Sequence, residues 1–253
     1  MKNKLIIGLL LAAVYLFWLL LSAPARLLTL ALPEGARLSE TSGTLWQGEA
    51  RQASWRDVEI AYLRWEFGFS SWLPGWHIRF NDPSGLRGQA WLHGLNEFVV
   101  HEGRLTVPAR FISQRLALGI PLEASGQVVL TLPEASFNAS GCQQIPGGNI
   151  QWRDAALNSP AGALELAQIN GKLSCTPAGA LTIALTQDSH QLSLSGQGSF
   201  TPDGRYTFSG TWQTRQAAPA LLTLLATQNA RKDEQGRTPW QLQGQWLSQE
   251  TRW

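Results

Sequence analysis

Cysteine and methionine are almost missing from this chain: Cys142 and Cys175 are its two cysteines and Met1 its one methionine. Neither cysteine sits in a CxxC pair or beside further Cys or His ligands, which excludes a thiolate metal cluster and a dithiol redox motif of the usual spacing. In an exported protein such a pair reads as one disulfide, closing a loop of about 33 residues. Charge of one sign is lacking too. Twenty Lys and Arg against eighteen Asp and Glu leave a net charge of +2, too weak a field to draw the chain toward nucleic acid or anionic lipid. No GxGxxG follows a strand into a helix, and there is no GxxxxGK[ST], GxSxG or HExxH. His77, His93, His101 and His190 share no ligand spacing, so each reads as a solvated surface residue. Ser195 is an alternating strand hydroxyl without an evident base, and the carboxylates are too scattered to name an acid/base pair. These absences point away from an enzyme and away from a metal or cofactor.

Long hydrophobic runs are also lacking, with one exception. Leu5 to Ala25 is uncharged and lies between Lys2/Lys4 and Arg26. As a helix, these 21 residues reach about 31 Å, which matches a bilayer core of about 30 Å. Ala23-Pro24-Ala25 superficially fits a signal cleavage site, but the run is longer than a signal-peptide core and Pro24 sits badly beside the scissile bond. The expectation is a single signal anchor whose two lysines keep residues 1–4 in the cytoplasm and send the remainder across. Residues 26–35 then form a linker, and 36–253 an exported region large enough for one large β domain or two small ones.

Beyond the anchor the period is two, not 3.6. Apolar and polar residues alternate in Trp76 to Phe80, Leu116 to Leu122, Val128 to Leu132, Leu181 to Leu185, Leu192 to Phe200, Tyr206 to Trp212 and Trp240 to Trp246, each a strand with one buried face. Turn signals separate them: Asn81 to Gly85, Glu134 to Ser136, Pro146 to Asn149, Pro177 to Gly179 and Pro202 to Gly204. Short connections imply an antiparallel meander. Gly-x-apolar units recur at Gly126, Gly148, Gly171, Gly196 and Gly244, where each glycine allows a bend or close backbone approach. The fold class is mainly β: one long antiparallel sheet, either curled into a groove or folded as a two-layer sandwich. Helix signals are few. Ala220 to Ala230 follows Pro219 and ends in Arg231 and Lys232, a short amphipathic helix for the sheet face, and Pro108 to Ser113 has room for a single turn. Arg231 to Arg237 reads as an exposed loop.

Tryptophan is the abundant residue. Six of the twelve, Trp46, Trp55, Trp65, Trp72, Trp76 and Trp91, crowd one stretch. Core packing on a sheet face is the default reading, with a carbohydrate platform as a rival. Trp72 and Trp76, in the apolar turn Ser71-Trp72-Leu73-Pro74-Gly75-Trp76, also suit lipid headgroups or a partner. Arg64, Arg79 and Arg87 alternate with aromatics, yet the small total charge argues against a nucleic-acid site.

Certain segments resemble a known family. After the anchor come Leu32-Pro33-Glu34-Gly35, then Ser42-Gly43-Thr44-Leu45-Trp46-Gln47-Gly48-Glu49-Ala50 and Leu63-Arg64-Trp65. Later come Gly148 to Ala155, Pro202 to Tyr206 and Gly236 to Trp240 before Gly244. This order resembles the N component of the bacterial type II secretion system (the general secretion pathway), with Gly43, Thr44, Leu45, Trp46 and Gly48 as its most specific piece. The resemblance implies a single-pass inner-membrane protein facing the periplasm, non-enzymatic and accessory to export of folded proteins across the outer membrane. Its partners are then other inner-membrane or periplasmic components of that system, and its fold is similar to the groove-forming sheets of AsmA-like proteins. Two functions follow. One is an assembly factor offering sheet edges to partners; the other is lipid handling, with Leu192, Leu194, Phe208 and Trp212 lining a groove or partner face.

Overall fold

The computed structural model describes residues 2–30, 32, 35–55, 58–70, 72–94, 96–114, 123–160, 162–215 and 232–245. The chain divides into two compact units, Met1–Pro83 and Ser84–Trp253, and the division falls inside the turn signal at Asn81 to Gly85.

In the first unit, the apolar run forms helix α1, Lys2–Leu21. The helix stops four residues before the end of the run because Pro24 disfavours helical backbone at Ala23. Ser22 closes the last turn, its N–H and Oγ both donating to Trp18 O at 3.0 and 2.8 Å. Among the described residues no helix is long and apolar enough to cross a membrane; the expected span of 5–25 is cut short by this early stop. A 3-10 turn, Ala25–Leu30, follows. The strands are β1 (Ala36–Gly43), β2 (Gln47–Trp55), β3 (Val58–Ile60), β4 (Leu63–Ser70) and β5 (Leu73–Asn81). They pair antiparallel in the order β1-β2-β4-β5, with β3 on the far end of β2. Ala25, Ala50 and Trp65 form the core, covered by Leu28, Leu38, Leu63 and Trp76, so the turn after α1 packs directly on the sheet.

The second unit runs β6 (Arg87–His93), β7 (Phe98–Pro108), a helical turn α2 (Ala109–Ser113), β8 (Glu123–Asn138), β9 (Gly141–Gln144), β10 (Asn149–Ser159), β11 (Gly162–Cys175), β12 (Leu181–Asp188), β13 (Leu192–Phe200), β14 (Arg205–Thr214) and β15 (Thr238–Gln245). Every pairing described is antiparallel, in the order β6-β7-β8-β10-β11-β12-β13-β14-β15, with β9 on β8. The expected long antiparallel meander is borne out. All of its described strands belong to one sheet, so the two-layer alternative finds no second sheet among the described residues.

One expected turn is corrected. Glu134, Ala135 and Ser136 lie inside β8, opposite His101, Val100 and Val99, and Ala135 is completely buried. The chain reverses instead after Asn138, whose Oδ1 accepts the Ser140 N–H at 2.8 Å. The expected helical turn after Pro108 is present as α2. The helix expected at 220–230, the strand at 116–122 and Trp246 lie outside the described residues.

Recurrent glycines let neighbouring side chains lie flat across the sheet. A Cβ on Gly196 would sit 2.7 Å from Cζ2 of Trp240, and one on Gly210 would sit 2.8 Å from Nε1 of the same ring. Glycine bought with backbone entropy thus creates a slot for an indole. The cysteines join β9 to the end of β11 in a Cys142–Cys175 disulfide with Cα atoms 5.4 Å apart.

Candidate functional site

The motif Gly43 to Gly48 forms the tight connection between β1 and β2, and it holds the end of α1. A helix leaves its last carbonyls without intrahelical donors; here the motif supplies one of them and grips the residues that follow. The Trp46 indole Nε1–H donates to Leu20 O at 2.8 Å, the Leu45 N–H donates to Ala23 O at 2.8 Å, and Pro24 bridges Thr44 in antiparallel fashion.

Each motif residue type has a local cause. Gly43 has φ +92°, and a Cβ there would lie 2.5 Å from Gln47 O, so the tight turn excludes side chains. The Thr44 N–H donates to Gln47 O at 2.8 Å, and its Oγ1 accepts the Gln47 N–H at 3.1 Å. Thr44 O accepts the Trp65 indole N–H at 3.2 Å. Gly48 leaves room for that ring, since a Cβ would lie 2.5 Å from Trp65 Cζ2 and 2.6 Å from Ser42 O. Trp46 also stacks edge-on against Phe67, centroids 5.0 Å apart, while the Phe67 N–H donates to Trp46 O at 2.6 Å. The motif is therefore a clamp between the helix and the sheet. That coupling was not read from the sequence, although an indole needing an acceptor beside an apolar helix was a usable signal.

The other sequence-chosen residues separate into two groups. Leu192 is 1% exposed, in a core with Ala155, Leu164 and Leu166 against which Trp212 packs. Leu194 sits opposite Trp212 across β13 and β14. Phe208 instead packs on the cluster of Ala135, Cys142, Ile145, Leu173 and Ile183. Leu194, Phe208 and Trp212 are half-buried on the same strands.

Histidines depart from expectation. His93 and His101 are half-buried with Nε2 atoms 3.0 Å apart and rings stacked at 5.0 Å, because the irregularity between Gln89 and Trp91 brings the two onto neighbouring positions of β6 and β7. His190 is exposed as expected. No group of three or more His, Cys, Asp or Glu among the described residues is arranged to hold a metal ion.

Two carboxylates, the exposed Asp203 and the half-buried Asp233, have lowered pKa values. The Thr201 hydroxyl, then Arg205, hold Asp203 below its ordinary range. Asp233 is lowered first by the Arg237 backbone N–H and then by its guanidinium, each at 2.8 Å. Both stiffen tight turns, Asp203-Gly204 and Asp233-Glu234-Gln235-Gly236, rather than build a reaction centre.

A short apolar helix clamped to an open antiparallel sheet defines a helix-tethered β protein. The chain belongs to the type II secretion system protein N family: the family described as Type II secretion system (T2SS), protein N matches residues 34–241. The Type II secretion system protein N of Klebsiella pneumoniae is 80% identical over 250 residues, 99% of each chain. That of Pectobacterium carotovorum subsp. carotovorum is 36% identical over 98% of this chain and 99% of its own, and that of Vibrio cholerae serotype O1 32% over 97% and 100%. No solved structure matches.

Proposed function

We propose that this chain is a non-catalytic accessory component of the type II secretion system, anchored in the inner membrane by α1 with its β units in the periplasm. The carrying observation is the clamp, in which the motif ties the last turn of a helix that is uncharged from Leu5 to Leu21 to a sheet. Ile6 to Leu21 include thirteen large apolar side chains 45–69% exposed, around the whole helix, and a helix apolar on every side requires an apolar surrounding. Leu5–Leu21 rises only about 25 Å, at the lower limit for a crossing, where local bilayer thinning and snorkelling of flanking lysines accommodate the shortfall. Tyr15, Phe17 and Trp18 suit the interface at the exit end. On this reading the protein positions other inner-membrane or periplasmic components, and its edge strands β1 and β15 offer strand addition. The test combines alkaline extraction of native membranes with photo-crosslinking from Ser39, exposed on β1. Retention in the membrane pellet and adducts to secretion components are expected; a soluble chain without such adducts would overturn the reading.

A second reading, periplasmic lipid handling, draws on the half-buried Leu194, Phe208 and Trp212. Phospholipid or lipopolysaccharide adducts from probes at these three residues would favour it; protein adducts, or none, would count against it.

A further inference from the structure

The β4–β5 hairpin runs past the clamp. Only Leu63 to Glu66 of β4 pair with β2, ending at Glu66 opposite Gln47. Phe67 then bonds Trp46, and Gly68 to Ser70 pair with β5 alone. At about 3.4 Å per residue, the tip overshoots the β1–β2 turn by roughly 10 Å, at the same end of the sheet where α1 is held. Between Phe67 and Trp76 there is no charged residue. The tip exposes Phe69 (73%), Trp72 (95%) and Leu73 (49%). Trp72 has φ 73°, a left-handed conformation unusual for a bulky residue and one that marks sites where local strain is retained. An aromatic chain joins this tip to the clamp: Phe69 to Phe67 at 5.8 Å, and Phe67 to Trp46 and Trp76 at 5.0 and 5.1 Å.

We propose that this hairpin tip is a second membrane contact: Phe69, Trp72 and Leu73 enter the interfacial region of the same bilayer that holds α1. The inference rests on the anchor reading. A lipid surface is the occupant because the tip lacks charge, ends in an indole and reaches past the point where the helix joins the sheet, the placement in which aromatic residues favour headgroups. Helix and hairpin together fix the tilt of the unit against the membrane, which one helix alone leaves free.

The test uses the full-length protein, with its disulfide intact, in phosphatidylethanolamine/phosphatidylglycerol vesicles. An environment-sensitive fluorophore is placed by Leu73→Cys, by Phe69→Cys as an independent tip position, by Leu11→Cys within α1, or by Glu59→Cys on β3 as a solvent reference. Both tip labels are expected to shift to the blue and to lose roughly half of their emission to lipids brominated near the headgroup, as insertion of about 5–10 Å requires. The Glu59 label should remain open to aqueous iodide. Quenching at Leu11 with none at either tip position would overturn the hairpin contact and leave the anchor standing. No quenching at Leu11 by lipids brominated deep in the acyl chains would overturn the anchor and this proposal with it. Tip labels that shift to the blue only when other secretion proteins are present, without quenching by brominated lipid, would assign the tip to a protein partner and overturn the lipid contact.

Discussion

Gly48→Ala tests the clamp at its tightest point. The added methyl would meet Trp65 Cζ2 at 2.5 Å and Ser42 O at 2.6 Å. Ser42 O is backbone and cannot swing aside, so the Trp65 ring must shift. Overpacking of this kind costs about 1–3 kcal/mol. A shifted ring also loses its bond to Thr44 O, now 3.2 Å long, worth about 0.5–1.5 kcal/mol net. Together these come to about 1.5–4.5 kcal/mol of local stability, or a roughly 10- to 2,000-fold rise in the open population. The assay is native-state hydrogen exchange at the Leu45 amide, which donates to Ala23 O across the helix–sheet junction. Faster exchange should appear at Leu45 and at Phe67 while strands β10 to β14 remain unchanged. Adding Trp65→Phe, which removes the ring edge facing the new methyl, should recover part of the loss. Exchange at Leu45 within about twofold of the parent would refute the reasoning, because a clamp dependent on this packing cannot absorb the methyl silently.

Replacing both Cys142 and Cys175 by serine opens a loop of separation 33, and urea denaturation should show a loss of about 3–4 kcal/mol on the chain-entropy model. Leu192→Ala, at a residue 1% exposed, should cost about 3–5 kcal/mol by the same measurement, whereas an equal truncation on the exposed face of β13 should cost far less. Asp233 has a folded pKa below its ordinary 3.8, so its stabilisation of the 233–237 turn is complete above that value and is lost as pH falls through the lower, folded one. Amide chemical shifts of Gln235 and Arg237 should therefore titrate below about pH 4, and Asp233→Asn should abolish that titration.

Strands were legible where alternation is unbroken: β12, β13 and β14 match the stretches at Leu181, Leu192 and Tyr206. They were hidden where a residue in left-handed backbone interrupts the period. Glu40, Glu102, Asp154 and Ala167 all have positive φ, and register shifts follow at Arg153 and Ala155 in β10. Past such a bulge the buried face moves to the other parity, so β1, β7, β10 and β11 read as irregular sequence. Glu134-Ala135-Ser136 misled for a related reason: polar residues in mid-strand imitate a turn when the partner strand supplies His101 opposite Glu134. The clamp was legible as a motif but not as a contact, because Trp46 and Leu20 are 26 residues apart and no local period connects them. The disulfide was legible because only one pairing exists.

Long meanders of short hairpins share a weakness: a slip of two residues keeps every side chain on its proper face, so alternation alone does not forbid it. Trp240 lies opposite Gly210 and over the slot that Gly210 forms with its own partner Gly196. Sliding β15 by two residues in either direction would drive that indole against Phe208 or Trp212, the neighbours of Gly210 on the same face. The twin glycines therefore act as a detent, giving the last strand one seat, so that its register is decided by shape where polarity cannot choose.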